Sequence, residues 1–478
     1  MDAVIIGSGP NGLAAAIALA QGGAKVLVLE AMDEIGGGIR TAELTLPGFA
    51  HDVCSGAYPL GILSPFFSTL PLADHGLTWV KPPASVAHPL LGEPAVLLSR
   101  PLDETARDLG ADGARYRRWI APFLDDPRGL IKDVLAPLGS VPRHPLSMLR
   151  FGLSAMRSAS GLARGHFSGA RARALLAGCG AHSILPLERM LSGAVALLFL
   201  ITAHVEEWPV VKGGSIAIGR ALASYLETLG GRIETGARVR SLADLPEARV
   251  YLFDTSPAQL AEIAGPVLPS RYLSGLRRYR YGPGVFKLDW ALDGPIPWTD
   301  PRCLLASTVH VGGTLEEIAA AEAAVWRGEH PERPFVLMIQ QSQFDATRAP
   351  QGKHTGYAYC HVPAGSAADL TSVVERQVER FAPGFRDRIL ARHSMTTGDF
   401  ERHNPNYVGG AITGGVADLF QAFARPMARL DPYATPHPRV FLCSASTPPG
   451  GGVHGMCGYH AARSVLRRLP GLQVAPLR

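Results

Sequence analysis

The chain has 478 residues, of which 47% are hydrophobic and 18% charged, and a formal net charge of +5. This length implies two or three domains, and the balance is that of a globular protein with enough apolar surface for a deep pocket. The arginines are scattered and no basic run is interleaved with aromatics, which argues against a nucleic-acid partner.

The six cysteines (Cys54, Cys179, Cys303, Cys360, Cys443 and Cys457) lie far apart and form no CxxC pair. They read as free thiols of a reducing compartment, which disfavours a redox disulfide. No metal is expected. The longest apolar stretch, Leu191 to Ala203, is too short for the ~20 residues of a membrane span. A strand begins at Asp2 with no charged leader before it, so the cytoplasm is the expected location, with contact at a membrane surface left open.

The elements follow in chain order. Ala3 to Ile6 is an apolar, β-branched run ending in Gly7; Leu13 to Ala20 is Ala-rich and helical; Lys25 to Leu29 is a second apolar run ending at Glu30. Strand, glycine turn, helix and strand make a βαβ unit with a parallel pair. From Pro82 to Trp208 prolines punctuate helical segments, and Pro145 to Arg173 reads as an amphipathic cap packed on the core. Gly213-Gly214 precedes a helix that runs to about Leu229. Arg232 to Arg240 reads as short strands, Val250 to Phe253 as a buried strand, and Gly282 to Ile296 as a strand with alternating faces. Val440 to Leu442 is a last strand, followed by the glycine-rich loop Gly450 to Gly455 and a helix to about Leu469.

The first turn reads GSGPNG. Gly7 lets the chain leave the strand sharply, Gly9 lets the backbone approach a pyrophosphate, and Gly12 lets helix and strand pack closely. Pro10 and Asn11 open the helix, whose N-terminus presents N–H groups to an anion. Glu30, about twenty residues on, stands where a carboxylate binds ribose hydroxyls and disfavours a 2′-phosphate. A second patch, Gly36-Gly37-Gly38 with Arg40 and Thr41, permits another close approach and supplies a cation for phosphate. An NAD dehydrogenase does not need this second patch, so the predicted cofactor is FAD.

Here the chain resembles the flavoprotein superfamily of amine oxidases and phytoene desaturases, in which a GG-x-x-R-[ST]-type motif follows the ribose acid. PGFAHDVCSGAYPLG is similar to the desaturase branch. The segments GPGVFKLDWALDGPIPW, FAPGFRD, NPNYVGG and STPPGGGVHGMCGYHAA resemble the flavoproteins named pyridine nucleotide-disulphide oxidoreductase domain-containing protein 2. The resemblance covers nearly the whole chain, with a shortened Val239 to Asp254 region. It implies a backbone contact from Val239 to adenine and a final flavin contact from Gly452, Val453 and Gly455 at a helix N-terminus. No cysteine lies from Asn404 to Arg439, where covalent amine oxidases attach flavin, so FAD is expected to be non-covalent.

The expected fold class is α/β: a discontinuous Rossmann-type FAD domain (1–81, 209–262 and 425–478) with an inserted α+β substrate domain and helical cap (82–208 and 263–424). The expected activity is an FAD-dependent oxidoreductase removing hydride from a C–C or C–N bond of an apolar small molecule. A flavin-dependent isomerase or saturase and a non-catalytic lipid- or prenyl-binding relative are the alternatives.

Two residues are candidates for catalysis. Strand parity puts Lys287 on one face with Val285 and Asp289, and the setting resembles the amine-oxidase strand whose lysine holds a water near flavin N5. On that reading Lys287→Met leaves the fold intact and slows a flavin half-reaction; the alternative is an ion pair with Asp289 on a solvated face. His454, inside the glycine loop, could line the ring or act as acid or base. His361 with Tyr359, and Asn404 with Tyr407, are weaker pocket candidates.

Overall fold

Short β-branched runs that are apolar at every position need cover on both faces, and a parallel sheet between helices supplies it. The computed structural model describes residues 1–137, 139–469, 471 and 477. Its two larger sheets contain, in chain order, β1 (Ala3–Ile6), β2 (Val26–Leu29), β3 (Ala84–Leu90), β4 (Glu93–Leu98), β5 (Arg232–Glu234) and β6 (Val250–Phe253). There follow β7 (Gly284–Leu292), β8 (Ala306–Val311), β9 (Val336–Ile339), β10 (His354–Val362), β11 (Ile389–Met395) and β12 (Val440–Leu442). The helices that matter for the site are α1 (Pro10–Gln21), α2 (Pro145–Ala155), α3 (Ala170–Ala181), α4 (Ser192–Val205), α5 (Ile216–Thr228) and α6 (Met456–Leu466).

The first sheet has the order β12-β6-β1-β2-β5 and is parallel throughout. Its strands come from the beginning, the middle and the far end of the sequence. Ile6 pairs with both Leu29 and Phe253, so β1, β2 and β6 end level, and their carboxyl ends open onto one crevice. Ligands of open α/β sheets bind in that position. Arg232–Glu234 is the only strand in the Arg232 to Arg240 stretch among the described residues, which is shorter than the sequence reading.

The helices α1 and α6 pack against each other over the first sheet. A Cβ at Gly458 would lie 1.8 Å from the Asn11 carbonyl oxygen, and one at Gly455 would lie 2.8 Å from the Ala14 Cβ. Glycine at these positions lets the two backbones approach closely, which brings the C-terminal glycine loop to the crevice.

The second sheet is mixed, in the order β11-β7-β10-β9-β8-β3-β4. The interior strand β7 is buried at all nine positions, so neither face of that strand is solvated. One face carries Lys287, Tyr359 and Leu337 across β7, β10 and β9. The helices α3 and α4 supply His182 (just past α3), Phe199 and, beyond α4, Trp208, which line one cavity with that face.

Two details depart from the sequence reading or extend it. In α2 only Phe151 and Ala155 are buried, while Leu146 (72%), Leu149 (60%) and Leu153 (68%) face outward. The predicted amphipathic cap is there, but its leucine stripe is not packed on the core. No helix among the described residues is long and apolar enough to cross a membrane. All six cysteines are free and buried.

Candidate active site

One continuous cavity runs from the glycine turn after β1 to a chamber floored by the second sheet, enclosing about 2070 Å³ with its open mouth. The charged side chains on its wall, Glu30, Arg40, Arg238 and Asp254, all belong to the end near the first sheet. The chamber is walled by Phe199, Trp208, Leu337, Ile339, Tyr357 and Tyr359.

At the first-sheet end, Gly7, Gly9, Pro10, Asn11, Glu30, Gly37, Gly38, Arg40 and Val239 line the cavity, as do Gly452 and Val453 from the far end of the sequence. The two glycine patches touch: a Cβ at Gly37 would lie 3.2 Å from Gly9 Cα. Gly37 itself has φ +57°, a left-handed conformation that favours glycine. Gly12 sits one layer back, where a Cβ would come within 2.1 Å of the Gly7 carbonyl oxygen. The side-chain oxygen of Asn11 is buried on the cavity wall and has no hydrogen-bond partner among the described residues. A buried acceptor of this kind calls for a ligand or water, and together with the glycine cradle it fits a bound dinucleotide.

Three of the predicted contacts take a different form. Glu30 already accepts from the Ser8 N–H (3.0 Å) and hydroxyl (2.6 Å), the Met32 N–H (3.0 Å) and Arg40 (3.2 Å). A carboxylate has about four lone-pair sites, so a ribose hydroxyl must share or replace one, and the rotatable Ser8 hydroxyl is the most readily displaced. Arg40 is spent on Glu30 and on the carbonyls of Glu34, Ile35 and His403, so it is not a free cation awaiting phosphate. Thr41 is a correction: its hydroxyl bonds Asp52 and Ser215, joining the second glycine patch to α5, and it is absent from the cavity wall. Gly455 is likewise off the wall, at φ +68° against Phe67 and Ala14, and acts by seating α6.

The structure places both catalytic candidates off the cavity wall. The His454 ring does not line the cavity: its Nδ1 accepts from the Met456 N–H at 3.0 Å, capping the first turn of α6. Burial pushes its pKa down to about 4, so it is neutral near pH 7. Lys287 is fully buried, paired with Asp289, with its ammonium 4.4 Å from the centre of the Tyr357 ring. Tyr357 lines the cavity and Lys287 does not. The Lys287–Asp289 pair exists, but on a covered face rather than a solvated one, because the His51-Asp52 segment lies over it. His51 Nδ1 is 3.6 Å from Asp289, and Arg348 joins Asp52 (2.8 Å) to Asp345 (3.1 Å) next to it. Burial pushes Asp289 up, but Lys287 and His393 outweigh it and hold the carboxyl below its ordinary range.

Of the weaker candidates, Tyr359, Asn404 and Tyr407 line the cavity, and the Tyr407 hydroxyl occupies the space a Cβ at Gly38 would fill, 2.3 Å away. His361 instead faces Glu322 at 2.8 Å. The sequence reading missed Asp254, which accepts from the Gly12 N–H at 2.9 Å. The signal was present: Asp254 ends an apolar strand just as Glu30 ends β2. It also missed His182, Phe199 and Trp208, which come from helices with no readable motif. Cys54 is on the wall, and burial pushes its thiol up to about 11.

Residues 5–65 match the model of the NAD(P)-binding Rossmann-like domain family. Over 98% of its length the chain is 28% identical to pyridine nucleotide-disulfide oxidoreductase domain-containing protein 2 of Rattus norvegicus, covering 94% of that protein. It is 26% identical to hydroxyneurosporene desaturase of Cereibacter sphaeroides, covering 98% of this chain and 97% of the desaturase. The structure superposes on putrescine oxidase bound to putrescine with a TM-score of 0.62, at 17% identity and 98% coverage of both chains. The fold is the amine oxidase fold. The resemblance read from the glycine patches and the later segments therefore spans nearly the whole chain, and the Rossmann-type fold class stands.

Proposed function

We propose that this chain is an FAD-dependent oxidoreductase acting on an apolar small molecule by removing hydride from a C–C or C–N bond. The observation that carries this reading is the single cavity joining a dinucleotide cradle to an uncharged, aromatic chamber. When bound, FAD supplies the hydride-accepting chemistry. The protein's own groups bind, orient and exclude water. Gly9, Gly37 and Asn11 form the cradle, Glu30 and Val239 stand where adenosine is held, and Gly452-Val453 approach from the other side. Tyr357, Tyr359, Phe199 and Trp208 give the substrate an apolar, water-poor site. The first sheet with α1, α5 and α6 forms the cofactor half, and the second sheet with α3 and α4 the substrate half.

We place no protein acid or base at the reacting atoms, since Lys287 and His454 both lie behind the wall. The desaturase and putrescine oxidase relatives act on different bonds, and the chamber's lack of charge favours the C–C reading. The alternatives, an isomerase or a saturase working from reduced flavin, would turn over without an electron acceptor, the saturase only with a reductant that resupplies two electrons per turnover.

The test is direct. Purified protein should be yellow and show the flavin absorption bands; a colourless protein that fails to take up FAD sinks the reading and favours a non-catalytic binder. Acid precipitation should release all the flavin, because the cysteine on the wall is held as a thiol, not the nucleophilic thiolate. Colour retained in the pellet contradicts the non-covalent assignment. Glu30→Ala should weaken FAD binding by about 1–3 kcal/mol, the size of a lost charge-assisted hydrogen bond. Unchanged FAD retention on dialysis would remove Glu30 from the cofactor site.

A further inference from the structure

Asp254 holds an unusual position for a carboxyl group. It ends β6, the strand beside β1, and its Oδ2 accepts the N–H of Gly12 in the first turn of α1 at 2.9 Å. A Cβ on Gly9 would lie 2.6 Å from the same oxygen. The carboxyl therefore sits inside the anion cradle that the glycine turn and the helix N-terminus form, and its residue is part of the cavity wall. An ionised carboxylate there would repel a diphosphate in a site with little water. A carboxylic acid would keep the Gly12 bond through one oxygen and offer its O–H to the ligand from the other.

We propose that Asp254 binds the dinucleotide as a carboxylic acid, so that the cofactor's diphosphate and one proton enter the site together. This rests on the flavoprotein reading above and assigns a role that the glycine motif alone does not contain. The surroundings agree. Glu30, the other carboxylate in reach, approaches from the end of β2 and is tied to Arg40. From β12 and α6 come the thiols of Cys443 and Cys457, which burial keeps protonated. From the Asn404–Tyr407 segment, the Asn406 amide donates to the Asp254 backbone carbonyl at 3.1 Å, not to its carboxyl. Among the described residues no cation is paired with Asp254, and burial first, then Glu30, push its pKa up to about 7 against hydrogen bonds from the Gly12 and Gly9 N–H groups.

The experiment is calorimetric titration of FAD into flavin-stripped, full-length protein at pH 8 in two buffers of different ionisation enthalpy. Wild type should take up close to one proton per FAD, and Kd should weaken up to about tenfold per pH unit from pH 7 to 9. Asp254→Asn keeps the acceptor for Gly12 and mimics the O–H donor with its amide. It should take up no proton and bind FAD with a Kd that is flat over the same range. FAD binding by wild type without proton uptake overturns the proposal, and this measurement needs no variant. Proton uptake that persists in Asp254→Asn overturns it as well, by placing the proton elsewhere. Failure to bind FAD at any pH is a different result: it removes the flavoprotein reading, and the proposal with it.

Discussion

Replacing Lys287 by methionine is expected to destabilise the protein by about 3–5 kcal/mol, the usual consequence of removing one partner from a buried ion pair. Asp289 has no exposed side-chain surface, and one of its oxygens lacks a hydrogen-bond partner among the described residues. The basic side chains nearest to it besides Lys287 are the rings of His51 and His393, at 3.6 and 3.9 Å. Protonating His51 in its place would have to overcome burial, the largest cause of its lowered pKa. The double variant Lys287→Met, Asp289→Leu removes the stranded charge and should regain most of the loss. Chemical denaturation of the three proteins measures this. The outcome also separates two roles for the lysine. A single variant as stable as wild type, with a slowed flavin half-reaction, would support the catalytic reading of Lys287.

Gly12→Ala should leave the protein essentially without cofactor, with FAD affinity reduced at least a hundredfold, or about 2.7 kcal/mol. The added Cβ would lie 2.1 Å from the Gly7 carbonyl oxygen and 3.0 Å from Asp254 Oδ2. Both are fixed atoms of the cradle, so the turn must open to admit it. Gly152→Ala is the matched control. Gly152 lies within α2, and a Cβ there meets nothing within 4 Å. Alanine at that position should be neutral or stabilise by up to ~1 kcal/mol with flavin content unchanged. Flavin absorbance per protein after gel filtration reads out both variants. Full flavin content in Gly12→Ala would mean that the turn is not the diphosphate cradle.

The features legible in the sequence are those whose chemistry is local. GSGPNG, the acid at Glu30 and the second glycine patch lie within some thirty residues, and each glycine is needed for a contact made by its own short segment. The C-terminal loop was legible as an approach to the glycine turn, and Gly452 and Val453 do line the same cavity. Its neighbour His454 was not, because the turn between Gly452 (φ +127°) and Gly455 (φ +68°) swings the ring onto the Met456 amide, and no sequence pattern encodes that. Parity put Lys287 and Asp289 on one face of β7, as the structure has them, but parity cannot say what covers a face. The cover is the His51-Asp52 segment, more than 200 residues earlier. Arg40 was legible as a cation, though not as one already engaged by Glu30. The chamber wall was the least legible part, since His182, Phe199 and Trp208 are ordinary helix-region residues until α3 and α4 close over the second sheet.

The contact between α1 and α6 also sets a timetable. The Ala-rich α1 and strands β1 and β2 are made within the first thirty residues, but β6, which covers the other edge of β1, begins at Val250. At roughly 5–20 residues per second of synthesis, β1 waits about 10–50 s for that neighbour. The glycines of α6 that receive α1 lie some 200 residues later still. During this interval one edge of β1 and the apolar side of α1 have no native partner, and the diphosphate cradle lacks both Asp254 and its C-terminal wall. Until then the βαβ unit is an edge-exposed fragment, and the cradle is complete only once Asp254 and the Gly452 to Gly458 segment are in place.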